Sequence, residues 1–188
     1  MAVGPGIGID NDDWQKSEDY LINYEGLLIL DADALNRISE SKLGSKFFLE
    51  RKFKTWITPH SKEFLRLFPH IKDETNVGLA LKAAKEFNIS VLLKGANSIV
   101  ADDKKAWQLF GTDSQTARAG LGDLLSGFIA GSSAIDLTFC KNITTDFFAK
   151  YVLLHSFAAS KCKIGSNACA IGDELSKLMR NKKTRQIS

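Results

Sequence analysis

Long apolar runs, cysteines and histidines are all scarce in this sequence, and each scarcity removes a class of protein. No stretch reaches the ~18 consecutive apolar residues that a membrane span needs, so a membrane partner is not expected. Three cysteines, Cys140, Cys162 and Cys169, are an odd number without metal-type spacing. They read as reduced, mostly buried thiols and exclude a disulfide scaffold. Three histidines, His60, His70 and His155, lie far apart, so no His or Cys cluster supplies a protein metal site. Charge of either sign is nearly balanced: 25 basic against 22 acidic residues leave +3, too little to imply a nucleic-acid partner. Any phosphate chemistry must therefore come from local geometry. The opening MAVGPGIGIDNDDW lacks a basic segment followed by an apolar run, which is not signal-peptide chemistry, and the expected setting is cytoplasmic.

What is present is an ordinary globular composition, 44% hydrophobic and 25% charged. The 188 residues, without internal repeat or low-complexity linker, predict a single domain over 1–188. Short apolar runs alternate with longer stretches of helical spacing. Leu27-Leu28-Ile29-Leu30, Thr55-Trp56-Ile57-Thr58, the SVLLK run at 90–94 and Ser98-Ile99-Val100-Ala101 read as strands. Residues 61–68 and 75–87 read as helices, with Val77, Leu81 and Ala84 on one face. This alternation predicts a mostly parallel sheet covered on both faces. From Leu124 to about Leu178 the pattern is mainly helical, including a long buried helix around 147–157 and a last helix after a turn near Ile164. The basic tail at 182–185 reads as a solvated end.

Five segments hold residue types suited to chemistry. Gly4-Pro5-Gly6-Ile7-Gly8 allows a sharp turn and close approach of a ligand to backbone, or simply a tight strand-to-helix turn. It is not the dinucleotide fingerprint, since Asn11 stands where the third glycine belongs. Gly120-Leu121-Gly122-Asp123 opens an amphipathic helix. Its first amides and the positive dipole end suit a phosphate, and Asp123 could take a proton from an attacking hydroxyl. The plainer role of Asp123 is a favourable first-turn acid. Gly127 and Gly131 follow at i+4 and suggest close helix packing. Lys94-Gly95-Ala96-Asn97-Ser98 joins two strands, either as a hairpin with an exposed lysine or as a nucleotide loop. Thr58-Pro59-His60 precedes a helix with Glu63 in its first turn, so His60 either meets a ligand or caps the helix. Asp31 and Asp33 stand at a strand's carboxyl end, where open α/β sheets bind ligands and where acids also cap helices. His155, inside YVLLHSFAA, reads as a satisfied core histidine.

In their order along the chain, GPGIG, LDADALN, TPHSKEFLRL, LLKGANSIV and ARAGLGDLLSGFIAG resemble the ADP/ATP-dependent NAD(P)H-hydrate dehydratase family, from Ala2 to about Asp173. The resemblance implies a ribokinase-like three-layer α/β/α fold. It implies a hydro-lyase that returns NADHX and NADPHX to NADH and NADPH, consuming ADP or ATP as co-substrate with Mg²⁺. It assigns Gly6, Gly8 and His60 to the hydrated nicotinamide substrate. Lys94, Gly95, Ala96, Asn97, Ser98, Gly120 and Gly122 go to the nucleotide. Asp123 is both substrate contact and catalytic base. It also implies a homo-oligomer and, in a longer parent chain, an N-terminal epimerase domain; the family's dehydratase domain itself has βα units upstream of GPGIG, so this chain is expected to be a fragment or to have them supplied by a partner. Without them the sheet would expose a long apolar edge. Ala119 and Leu121 depart from the family's GG-T/S-GD, removing conformational freedom and a hydroxyl near the phosphates. The competing readings are a small-molecule kinase of the same fold, for a vitamin or a sugar, and a catalytically silent nucleotide-binding module.

Overall fold

The computed structural model describes residues 1–8, 14–110, 120–163 and 165–185, with side chains to 180. The chain divides into two compact units, Met1–Phe110 and Gly111–Ser188.

The first unit is built around a six-stranded sheet in the order β1-β2-β3-β4-β5-β6. Its strands are β1 (Ala2–Val3), β2 (Leu28–Leu30), β3 (Thr55–Ile57), β4 (Ser90–Leu93), β5 (Ile99–Ala101) and β6 (Ala106–Gln108). The first four run parallel, and β4, β5 and β6 are antiparallel. The helices between the parallel strands are α1 (Trp14–Asn23), α2 (Ala32–Glu40), α3 (Phe47–Glu50), α4 (Ser61–Leu67) and α5 (Asn76–Phe87). Each of the four apolar runs is longer than its strand by one residue: Leu27 and Ser98 precede β2 and β5, and Thr58 and Lys94 follow β3 and β4. The edge strand β1 has only two residues, Ala2 exposed and Val3 half-buried, so the long apolar edge is absent among the described residues.

All residues of β2, β3, β4 and β5 are buried, which explains their uninterrupted apolar sequence. Leu28, Leu30, Ile57, Val91 and Leu93 join Leu35, Ile38 and five phenylalanines of the helices in one core. Phe48, Phe68 and Phe87 meet with ring centroids 4.9–6.1 Å apart. The alternate residues Ile29, Trp56, Leu92 and Val100 are buried as well, so both sheet faces are covered.

The second unit is helical: α6 (Leu121–Phe139), α7 (Thr145–Lys161) and α8 (Ala168–Arg185). Ala158, Ala159, Ile171 and Leu175 form a small core here. Helix α6 is not amphipathic in the expected sense. It buries Ser126, Ser132 and Ser133 beside Leu125 and Ile129, while Ile135, Leu137 and Phe139 are exposed. Gly127 and Gly131 lie on the exposed side, and a Cβ at either would meet no atom within 4 Å, so they do not mediate close packing. The cysteines also depart from expectation: Cys140 and Cys162 are half-buried and Cys169 is exposed. Cys140 and Cys162 are C-cap residues and Cys169 lies in the first turn of α8, where a helix end gives less cover than its middle. His155 is buried on α7 as expected, but its Nε2 has no hydrogen-bond partner among the described residues. Among the described residues no helix is long and apolar enough to cross a membrane.

Candidate functional site

The carboxyl ends of β1 to β4 bring together four of the segments singled out in the sequence. After β1 the chain turns through Gly4, whose φ of +141° excludes other residues. A Cβ there would lie 1.7 Å from the Asp31 carbonyl oxygen, so this glycine serves a close backbone crossing. Gly6 and Gly8 differ: they hold φ of +74° and +72°, and a Cβ at either would meet nothing within 4 Å. Their faces are open to a ligand.

At the end of β2, Asp31 caps α2 by accepting from the Ala32 amide at 2.9 Å. Its carboxylate is 2% exposed and pairs with the Lys94 ammonium at 2.7 Å. Lys94 is tied through its own amide to the Pro59 carbonyl at 2.8 Å, so its side chain reaches from the end of β4 past β3 to β2. The turn 94–98 does join antiparallel β4 and β5, but its lysine is largely sheltered, not exposed. Gly95 offers open backbone, with no atom near a would-be Cβ, and the Ser98 hydroxyl donates to the Gly95 carbonyl at 3.3 Å. Ala96 and Asn97 are exposed at the tip of this turn.

His60, at the end of β3, caps α4. Its Nδ1 accepts from the amides of Lys62 and Glu63 at 3.1 and 3.2 Å, while the Glu63 carboxylate accepts from the His60 amide at 2.8 Å. This is a capping box with histidine in the usual place of serine or threonine. Two amides on Nδ1 assign the ring proton to Nε2, which lies 3.4 Å from Glu63 Oε1 on a half-exposed ring. The backbones of His60 and Lys94 pair in an isolated parallel bridge.

In the second unit Gly120 is the N-cap of α6 in the left-handed region at φ +82°. It has no side chain to cap the amides of Leu121, Gly122 and Asp123, and its carbonyl accepts from Leu124 at 3.0 Å. Asp123 is exposed in the first turn, beside these amides and the positive end of a 19-residue helix. Ala119 lies outside the described residues. The sequence did not single out Arg37 and Arg51, two buried cations that donate to backbone carbonyls 25–30 residues away in the chain.

A model of the family described as NAD(P)H-hydrate dehydratase matches residues 1–177. The chain belongs to the NAD(P)H-hydrate dehydratase family. A bifunctional NAD(P)H-hydrate repair enzyme of Synechocystis sp. is 34% identical over 132 residues, covering 70% of this chain and 24% of that protein. Among solved structures, a ribokinase-like superfamily protein of Enterococcus faecalis matches with a TM-score of 0.79 at 22% identity, covering 96% of this chain and 62% of that one. The ADP/ATP-dependent NAD(P)H-hydrate dehydratase of Bacillus subtilis, co-crystallised with ATP/Mg²⁺ and soaked with CoA, matches with a TM-score of 0.72 at 23% identity, covering 96% of this chain and 65% of that one. These likenesses establish the ribokinase-like fold. The dehydratase-family relatives are longer than this chain, which spans about a quarter of the Synechocystis protein.

Proposed function

We propose that the chain carries out nucleotide-dependent dehydration of NADHX and NADPHX, a hydro-lyase reaction that repairs damaged cofactor. The γ-phosphoryl of ATP, or the β-phosphoryl of ADP, passes to the hydrate hydroxyl, releasing ADP or AMP. Asp123 takes the hydroxyl proton. The new phosphate then leaves with the C–O electron pair as the ring loses a proton, giving NADH or NADPH and inorganic phosphate. The observation that carries this reading is Asp123 in the first turn of α6, behind the left-handed Gly120, within the 1–177 family match. A carboxylate there stands beside amides that suit a phosphate, so base and anion hole occupy one helix end.

On this reading, in the first unit Lys94 and the 95–98 turn serve the nucleotide and Gly6, Gly8 and His60 the hydrated nicotinamide, and in the second unit Gly120 and Gly122 serve the nucleotide. A Mg²⁺ would be carried on nucleotide phosphate oxygens, with the exposed Asp123 carboxylate as a candidate oxygen ligand from the protein. The ion would neutralise developing phosphate charge. The proposed setting is the cytoplasm, in keeping with three free thiols.

The test follows nicotinamide absorbance on mixing the chain with NADHX, Mg²⁺ and either ADP or ATP. Recovery should require the nucleotide, and Asp123→Asn should lower its rate by about 10²–10⁴-fold. Recovery without nucleotide, or undiminished in the variant, overturns the reading.

A further inference from the structure

Both backbone polar groups of Gly8 are engaged by one helix. Its amide donates to Asp33 Oδ2 at 3.0 Å, and its carbonyl accepts from Arg37 Nε at 2.5 Å. Asp33 and Arg37 are four residues apart on α2 and so share a face. Arg37 is 5% exposed, and its guanidinium carbon lies 5.5 Å from the centre of the Trp14 ring at the start of α1. The helix that presents the pair is itself anchored at β2 through the Asp31 cap. Bonds from ionised side chains to backbone are the strong kind, and here they grip a segment with two glycines at positive φ, which would otherwise sample many conformations.

We propose that Asp33 and Arg37 are positioning residues for the hydrated nicotinamide, clamping Gly8 so that the open backbone of Gly6 is presented in one orientation. This rests on the reading of the glycine turn as the substrate contact. The clamp saves the substrate from ordering the loop itself, so its loss should appear in substrate affinity and not in the handling of nucleotide.

The experiment uses the full chain with Asp33→Ala, Asp33→Asn and Arg37→Lys, since truncating buried Arg37 outright could unfold it. Deuterium uptake over 1–8 should quicken about tenfold in Asp33→Ala, as expected for losing a charged hydrogen bond, while peptides over β3 to β5 keep their protection. The KM for NADHX should rise about tenfold, with kcat and the nucleotide KM changed less than about twofold. Asp33→Asn keeps an acceptor without the charge and should fall between. Unchanged uptake over 1–8, unchanged substrate KM, or an equal rise in both KM values each overturns the proposal. The Kd of NADH, read from nicotinamide fluorescence, is measured in the same variants. If the unaltered chain turns over nothing, the dehydratase reading fails, while uptake and NADH binding still decide whether the clamp exists and serves a nicotinamide.

Discussion

Asp31 and Lys94 show how a single residue can link distant parts of the sheet. The pair joins β2 to β4 across a sequence separation of 63, and the carboxylate is almost fully buried. Removing one partner of a buried pair leaves the other charge poorly solvated, which commonly costs 3–5 kcal/mol. Lys94 retains 24% exposure, so the expected loss is smaller. Lys94→Met should destabilise the chain by about 2 kcal/mol in urea unfolding, and pairing it with Asp31→Asn should cost less than the two single losses combined. Strict additivity would mean the two groups do not act on each other. His60 carries a related lesson. TPHSKE signalled a helix start, yet the choice between cap and ligand needed the ring geometry, which leaves Nε2–H as a donor after Nδ1 has accepted two amides.

At the scale of elements, Arg51 explains how α1 ends and where β3 begins. Its guanidinium donates to the carbonyls of Leu21, Tyr24 and Gly26 at 2.5–2.6 Å, and its Nε to the Thr55 hydroxyl at 2.9 Å. Burial pulls its pKa below the ordinary arginine value. These carbonyls lie at and after a helix end, where no intrahelical donor reaches them. Arg51→Lys keeps the charge but loses the planar fork, and should lower stability by about 2–3 kcal/mol in thermal unfolding. A loss under about 0.5 kcal/mol would show that water replaces the fork without difficulty. Helix α6 is the element whose sequence misled most. Its apolar residues suggested an inward face, but serines share the buried side while Ile135 and Phe139 face outward.

For the molecule as a whole, one buried imidazole in the second unit couples folding to pH. His155 in the second unit has its pKa lowered from 6.5 to about 4 by burial alone. The folded state therefore binds fewer protons than the unfolded one between these values, and stability rises with pH. The contribution is complete above pH 6.5 and is lost as pH falls from there toward 4. The unaltered chain should lose about 2 kcal/mol more than His155→Leu between pH 7.5 and 5 in urea unfolding. Deuterium uptake should place the loss in 120–163 and 165–185. An identical pH dependence in the variant would mean that His155 is hydrated or protonated in the folded state.

The sequence by itself determined what depends on near neighbours. The alternation of buried strands and helices, the ends of α4 and α5, the helix start after Gly120 and the order of five motifs all follow from periodicity and local backbone chemistry. Only the tertiary structure separated Gly4, which a crossing backbone requires, from Gly6 and Gly8, which face open space. The same is true of the Asp31–Lys94 pair, the Asp33 and Arg37 clamp on Gly8 and the Arg51 clasp. These contacts join residues 25 to 63 positions apart. Local pattern fixes which side chains share a face, whereas which distant atoms face them depends on how the sheet orders its strands.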